Sequence, residues 1–579
     1  MGRPSDQQPT LRPPNHSETK EYVVKLTQLT VGLMATALLG ASASWAQSLN
    51  DLKADHQTAG DILTYGMGYN NQRYSALKQI NASNVGKLHP KWAYSLNNPQ
   101  GQESQPIVYD GVMYITTHDS TVALNPLTGR QIWKNQLEYK SDVFAMACCG
   151  LLNRGVAIYD GKVYRGTLDA HIVAYDARTG KQLWKTKMTD YKLGHAITSA
   201  PLLANGVLLT GIAGGEYGTR GFIAGLDPQT GKELWRFHTT AHGTEPGAQT
   251  WPGDTALRGG APTWLTGAYD PDLDLVYWGT GNGGPWNAEV RKGDNLYITS
   301  VLALRPKTGK LEWHYQFSPN DPYDYDSTEV GMLVDMKVDG KMTKTLVQAN
   351  RNGFFYVLDR SNGKLLKANP YVKVNWADRI DMKTGRPVES QVTKNIRAGG
   401  DEMVWPSVLG GKNWTPMAWN PKTGLAYTNT LNISWPYQYA KAEYKQGEWY
   451  LGVNFRGVSM PKDQPHGYMS AIDPLTGKTK WQTPWPAQPS MAGSLATAGG
   501  VVFTGAATGE VMAFDANNGK VLWQFQSGSG IIGLPVTWEH GGKQYVSIVS
   551  GGGGVWALLG DERMAQTPAG GTVWTFALD

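Results

Sequence analysis

GLDPQTGKELW, residues 225–235, reads as a strand, a tight turn and a returning strand. Leu226 ends an apolar run, Asp227 and Pro228 suit a turn entry, and Gly231 supplies the positive φ that closes it. Trp235 then stands on the second strand. The pattern recurs as ALNPLTGRQIW around Gly129, AYDARTGKQLW around Gly180 and ALRPKTGKLEW around Gly309. Further copies are VLDRSNGKLLK (Gly363), AWNPKTGLAYT (Gly424), AIDPLTGKTKW (Gly477) and AFDANNGKVLW (Gly519). Six of the eight place Trp four residues after the Gly, which a sandwich array has no reason to do. A hairpin cannot bury its own face, so the copies must stack on one another. Their spacing, mostly 42 to 61 residues, suits one four-stranded sheet per copy. The expected fold is all-β, an eight-bladed β-propeller. The wider gap between Gly231 and Gly309 holds an insertion that opens HTTAHGTEPGAQTWPGD.

Composition agrees. Among 579 residues there are 69 Gly, 22 Trp and 28 Tyr, with only 17% charged. The chain opens with Arg3, Arg12, Lys20 and Lys25, then an apolar run from Val31 to Gly40 and small residues up to Ala46. This predicts a secretory signal peptide over 1–46 and a single propeller domain over 47–579. The apolar run is short for a bilayer span, so the mature form is expected to have none and to be periplasmic. A net charge of +5, or +4 without the leader, makes no basic stripe, and no nucleic-acid role is expected. There is no C-x-x-C-H for covalent haem, no G-x-G-x-x-G opening a strand-turn-helix unit and no Walker sequence. His238 and His242 are four apart, but the Thr, Gly and Pro around them argue against a zinc helix.

The only two cysteines, Cys148 and Cys149, are adjacent in FAMACCGLLNRG. Joined, they would close almost no loop and so stabilise the fold little; a flat sulfur surface at a binding site is the functional reading. Two reduced, buried thiols packed as small hydrophobes are the alternative. An oxidising compartment makes the disulfide chemically plausible.

From NQRYSALKQINASNVGKLHPKW (71–92) to the stretch ending GLPVTW at Trp538, the chain resembles the secreted quinoprotein alcohol dehydrogenases, which use pyrroloquinoline quinone (PQQ) and a metal ion. The resemblance implies a Cys148–Cys149 disulfide on one face of the planar quinone and Trp264 on the other. It implies quinone contacts from Glu103, Arg154, Thr198, Gly214, Gly215, Asn413, Trp414 and Trp556, and oxyanion stabilisation by Arg351. Ala213 stands where the family has Ser, which removes one hydroxyl contact. Metal ligands would be Glu216, Asn282 and Asp324, oxygen donors suited to a hard ion. Asp324 would also be the general base that takes the alcohol proton.

Asp326 sets the chain apart. Calcium members have a small or uncharged residue there, whereas lanthanide-dependent members carry Asp. In an extended loop, residues two apart face one side, so Asp324 and Asp326 can share an ion; alternatively Asp326 caps the turn at Ser327–Thr328. A third carboxylate suits a trivalent ion. The implied reaction is oxidation of a primary alcohol to the aldehyde, with electrons passed to a soluble cytochrome c. The segment 368–389 looks ethanol-type, and a homodimer is the family default. The rival readings are a calcium-dependent member, a sugar-oxidising quinoprotein and a non-catalytic propeller scaffold.

Overall fold

A computed structural model describes residues 46–329, 331–553 and 566–579. The expected signal peptide, but for Ala46, and Trp556 lie outside the described residues. Eight sheets form the propeller, seven of four antiparallel strands and one, over 495–526, carrying a fifth strand, Tyr74–Ser75, parallel to Leu495–Thr497. Blade 1 is built from Ile107–Tyr109, Val112–Thr116, Ser120–Leu124 and Gln131–Gln136, innermost strand first. Blades 2 to 7 follow over 157–187, 202–238, 268–316, 332–370, 418–484 and 495–526. Blade 8 is composite: Val536–His540, Lys543–Ser550 and Thr572–Ala577 take their outermost strand, His89–Ser95, from the other end of the chain. That pairing closes the ring and leaves no open edge between first and last blades.

The repeat is the joint between blades. Trp133, on the outer strand of blade 1, lies over Gly180 of blade 2, and its Nε1 donates to Ala177 O at 2.9 Å. Trp235 and Trp481 repeat the bond with Pro306 O and Ala516 O. A Cβ on Gly180 would meet Trp133 Cε3 at 2.6 Å, and one on Gly231 would meet Trp184 Cε3 at 2.5 Å. Gly180 also has φ 70°. Both the backbone angle and the indole above it require glycine.

Two joints depart from the expectation. The copy at Gly424 is not a blade joint: it is the innermost hairpin of blade 6, between Ala418–Asn420 and Leu425–Leu431, with nothing within 4 Å of an added Cβ. The missing marker is Trp92, on the N-terminal strand of blade 8, whose Nε1 donates to Pro126 O at 2.8 Å and whose ring covers Gly129. The motif was hidden because circular closure cuts that blade out of sequence order. Between blades 5 and 6, where Lys367 replaces Trp, Asn369 packs on Gly477 and donates to Leu475 O at 3.2 Å.

Residues 62–80 run inside the ring. Their backbone bonds the innermost strands of blades 1, 4, 5, 6 and 7 through Val108, Tyr269, Leu333, Trp419 and Ala496. The propeller is thereby filled along its axis on one side of the cavity described next. Among the described residues no helix is long and apolar enough to cross a membrane.

Candidate functional site

In blades 1 to 6 the turn that enters the innermost strand carries a candidate residue. These are Glu103, Arg154, Thr198, Trp264, the pair Asp324 and Asp326, and Asn413 with Trp414. Gly214–Glu216, Asn282 and Arg351 follow the second strands of blades 3, 4 and 5. First and second strands are antiparallel, so both positions fall at the same end of the ring. Six blades therefore aim their turns at one cavity, of about 100 Å³.

The cavity is lined by Glu103, Cys148, Cys149, Arg154, Thr198, Gly214, Glu216, Trp264, Asp324, Asp326, Arg351, Asn413 and Trp414. Leu152 and Ala213 complete it. Gly215 and Asn282 stand behind the lining: a Cβ on Gly215 would come within 2.5 Å of Asn282 Oδ1. Cys148 and Cys149 are joined in a disulfide, with Cys149 in the left-handed region at φ 65°.

One side of the cavity is basic. Arg154 Nη2 pairs with Glu103 Oε2 at 2.7 Å and Nη1 donates to Thr198 Oγ1 at 2.8 Å. Its guanidinium lies 4.8 Å from both the Trp264 and Trp414 ring centres, a cation–π arrangement. Burial raises the Glu103 carboxyl, and Arg154 opposes that.

The other side is acidic. Arg351 bridges the two aspartates, Nη2 to Asp324 Oδ2 at 2.8 Å and Nη1 to Asp326 Oδ2 at 2.7 Å. Asp326 Oδ1 accepts from Asn282 N at 2.7 Å, and Oδ2 also from Trp264 Nε1 at 3.1 Å. Its oxygens are taken up across the site, so it is no turn cap for Ser327–Thr328. The intervening tyrosines face the other way: Tyr323 and Tyr325 pack on each other and on Trp376. Asp324 has φ 63°, a strained angle for a non-glycine, of a kind that concentrates at functional sites.

Three carboxylates, Asp324 and Asp326 buried and Glu216 half-buried, face one guanidinium, and the imbalance shows in their protonation. Burial, and then Asp326, push Glu216 up to about 7. Burial lifts Asp324 well above the carboxylate range against the pull of Arg351, and raises Asp326 as well. For Arg351, burial works against the charge, but Asp324 and Asp326 hold it above its ordinary value. Asp324 Oδ1 and both amide atoms of Asn282 are buried and have no partner. Orphaned oxygens among under-neutralised carboxylates fit a hard, multivalent cation. The disulfide, the Trp264 indole and the Arg154 guanidinium line the same cavity, and flat surfaces beside a cation are the donor set a flat anionic group would use. Among the described residues no three His, Cys, Asp or Glu side chains converge by themselves; Arg351 stands between the aspartates, and Asn282 would supply an amide oxygen. His238 and His242 face different carboxylates, Glu245 and Asp254.

Sequence reading missed the bridging role of Arg351, which joins two loops of one blade, and the Asp326–Trp264 bond, which joins neighbouring blades. It also missed the buried pair beside the site, Glu329, pushed up to about 7 by burial, and Lys412, lowered to about 8 by burial. Leu152 lay unremarked within the cysteine stretch.

Fold and cavity define a propeller with a pocket where six of its blades converge. The family model for the PQQ glucose/ethanol/alcohol dehydrogenase β-propeller domain matches residues 63–388 and 389–546. The quinoprotein alcohol dehydrogenase PedH of Pseudomonas putida is 41% identical over 95% of this chain and 96% of its own length. Quinohemoprotein alcohol dehydrogenase ADH IIB of the same species is 41% identical over 93% and 80%. A europium-containing methanol dehydrogenase superposes with TM-score 0.87 at 37% identity, covering 91% of this chain and 100% of that one. The chain belongs to the PQQ-dependent alcohol dehydrogenases.

Proposed function

We propose that this protein oxidises primary alcohols to aldehydes in the periplasm, using PQQ and a lanthanide ion, and passes the electrons to a soluble cytochrome c. The observation that carries the reading is the trio Glu216, Asp324 and Asp326, lining a cavity that a disulfide and an indole also line. In this reading Cys148–Cys149 and Trp264 hold the two faces of the quinone, because a delocalised plane gains burial and stacking between flat surfaces. Arg154 and Thr198 meet its carboxylates, with Glu103 orienting Arg154. Gly214, Asn413 and Trp414 border the ring. Glu216, Asn282, Asp324 and Asp326 hold the metal, and Gly215 backs Asn282.

When bound, PQQ accepts the hydride and the metal polarises its carbonyl as a Lewis acid. Asp324 Oδ1, free of partners, takes the hydroxyl proton of the alcohol. Arg351 offers its guanidinium to developing negative charge while keeping Asp324 in place. The second aspartate favours a trivalent ion, since three protein carboxylates around a divalent one repel each other. The europium of the methanol dehydrogenase that resembles this chain supports the same choice.

The test is reconstitution of metal-free protein with PQQ and either lanthanum, praseodymium or calcium, followed by turnover of a primary-alcohol series with an artificial acceptor. Strong activity with the lanthanides and little with calcium is expected. Full activity with calcium and no gain from lanthanum overturns the metal assignment. Absence of a bound quinone chromophore overturns the function.

A further inference from the structure

A strap from blade 6 reaches across the ring to the loops that hold two of the assigned ligands. Its base is paired: Asn454 N donates to Gln438 O at 3.0 Å and Ala440 N to Gly452 O at 2.9 Å. Its tip leaves the blade altogether. Tyr450 N donates to the backbone carbonyl of Glu216 at 2.6 Å. The next residue, Leu451, accepts from Trp286 N at 2.7 Å, and Asn287 Nδ2 donates to Ala440 O at 2.9 Å. Trp286 and Asn287 lie on the loop that carries Asn282. One short segment thus ties the Glu216 loop of blade 3 to the Asn282 loop of blade 4.

The side chains support the same tie. The rings of Tyr444 and Tyr450 meet edge to face at 5.7 Å. Both close on Gly218, two residues after Glu216: a Cβ there would sit 3.0 Å from each ring. Gly218 has φ 62°, so glycine serves both the turn and the close approach. Arg258, from the insertion between blades 3 and 4, stacks on Tyr444 at 4.0 Å. None of these strap residues lines the cavity, so the segment touches neither quinone nor substrate directly.

We infer that the strap 438–454 is a positioning element of the metal site, which holds Glu216 and Asn282 at the separation that one ion requires. The inference rests on the metal assignment above. Glu216 sits on a short single-turn loop between Gly214 and Gly218, both at positive φ; beyond it Thr219 O accepts from Gly260 N at 2.9 Å and Ala261 N donates to Asn282 O at 2.7 Å, so the strap adds a second tie to a backbone link that already joins the two loops. Outer contacts of this kind typically change metal affinity about 10–100-fold. Coupling is reciprocal: if the strap favours the bound metal, the metal must stabilise the strap by the same factor.

Two measurements test this, each with a readout besides turnover. In wild-type protein loaded with PQQ, amide hydrogen exchange at Tyr450 should slow at least about tenfold when a lanthanide is added, by that reciprocity. Separately, terbium is titrated by its tryptophan-sensitised luminescence. Tyr450→Pro removes the N–H donor and should weaken terbium binding about tenfold or more. Tyr450→Ala, which keeps the N–H and loses the ring, should weaken it less, and turnover of both variants should recover at saturating metal. Wild-type terbium binding with unchanged Tyr450 exchange and an unchanged Tyr450→Pro affinity overturns the strap alone. A wild type that binds no terbium overturns the metal assignment and the strap with it.

Discussion

Asp326 is the residue on which the acidic wall turns, because it bonds Arg351, Trp264 and Asn282 at once. Asp326→Ser should shift metal preference toward calcium and loosen Trp264; the check is competitive lanthanum–calcium titration, and unchanged selectivity would assign the preference elsewhere. Asp324→Asn keeps the shape but removes the basic oxygen. Turnover should fall at least about a hundredfold at measured full metal occupancy; near-normal turnover would rule it out as the base. His195 supplies a pH effect away from the ligands. It is buried, and burial lowers its pKa to about 4 from an ordinary 6.5. The folded state therefore binds the proton less well than the unfolded chain. Its contribution is full above pH 6.5 and is lost as pH falls toward 4, by up to about 3 kcal/mol. Denaturant unfolding across that range should show the loss, and His195→Gln should flatten it.

At the scale of elements, the disulfide and the indole joints have opposite tasks. Cys148–Cys149 closes no useful loop, so reduction should abolish most turnover while the far-UV spectrum and unfolding midpoint stay nearly unchanged. Two free thiols in native, active protein would contradict this. Trp133 joins blades 1 and 2, with 8% of its surface exposed. Trp133→Ala should cost about 3–5 kcal/mol in unfolding free energy, the usual range for an emptied indole site. A cost below about 1 kcal/mol would mean the blades are held by their strand faces instead.

The molecule as a whole depends on closure. Thr572–Ala577 pairs with Lys543–Ser550 on one side and with His89–Ser95 on the other, so removing the last eight residues severs both termini from each other. Truncation after Gly571 should leave blade 8 as a two-stranded remnant and replace cooperative unfolding by an early, broad transition. A single sharp transition at the wild-type midpoint would show that the axial segment 62–80 holds the ring without the seam.

The eight-bladed architecture was legible because each copy is local: a turn glycine and, four residues on, a tryptophan that goes on to cover the glycine of the next copy. Trp92 escaped the pattern because its partner strands lie at the far end of the chain. Candidate residues could be named, since they sit in short turns with recognisable neighbours. Their relations could not be, because Trp264 with Asp326 and Tyr450 with Glu216 come from different blades, and Arg351 meets Asp324 and Asp326 only when two loops of blade 5 fold to the same end. Residue types and spacing carry local backbone preference, whereas the shared charge, burial and reach of these groups exist only once six turns face one cavity. The protonation of Glu216 and the position of the strap above it belong to that second kind of information, for burial and Coulomb coupling depend on distance in space.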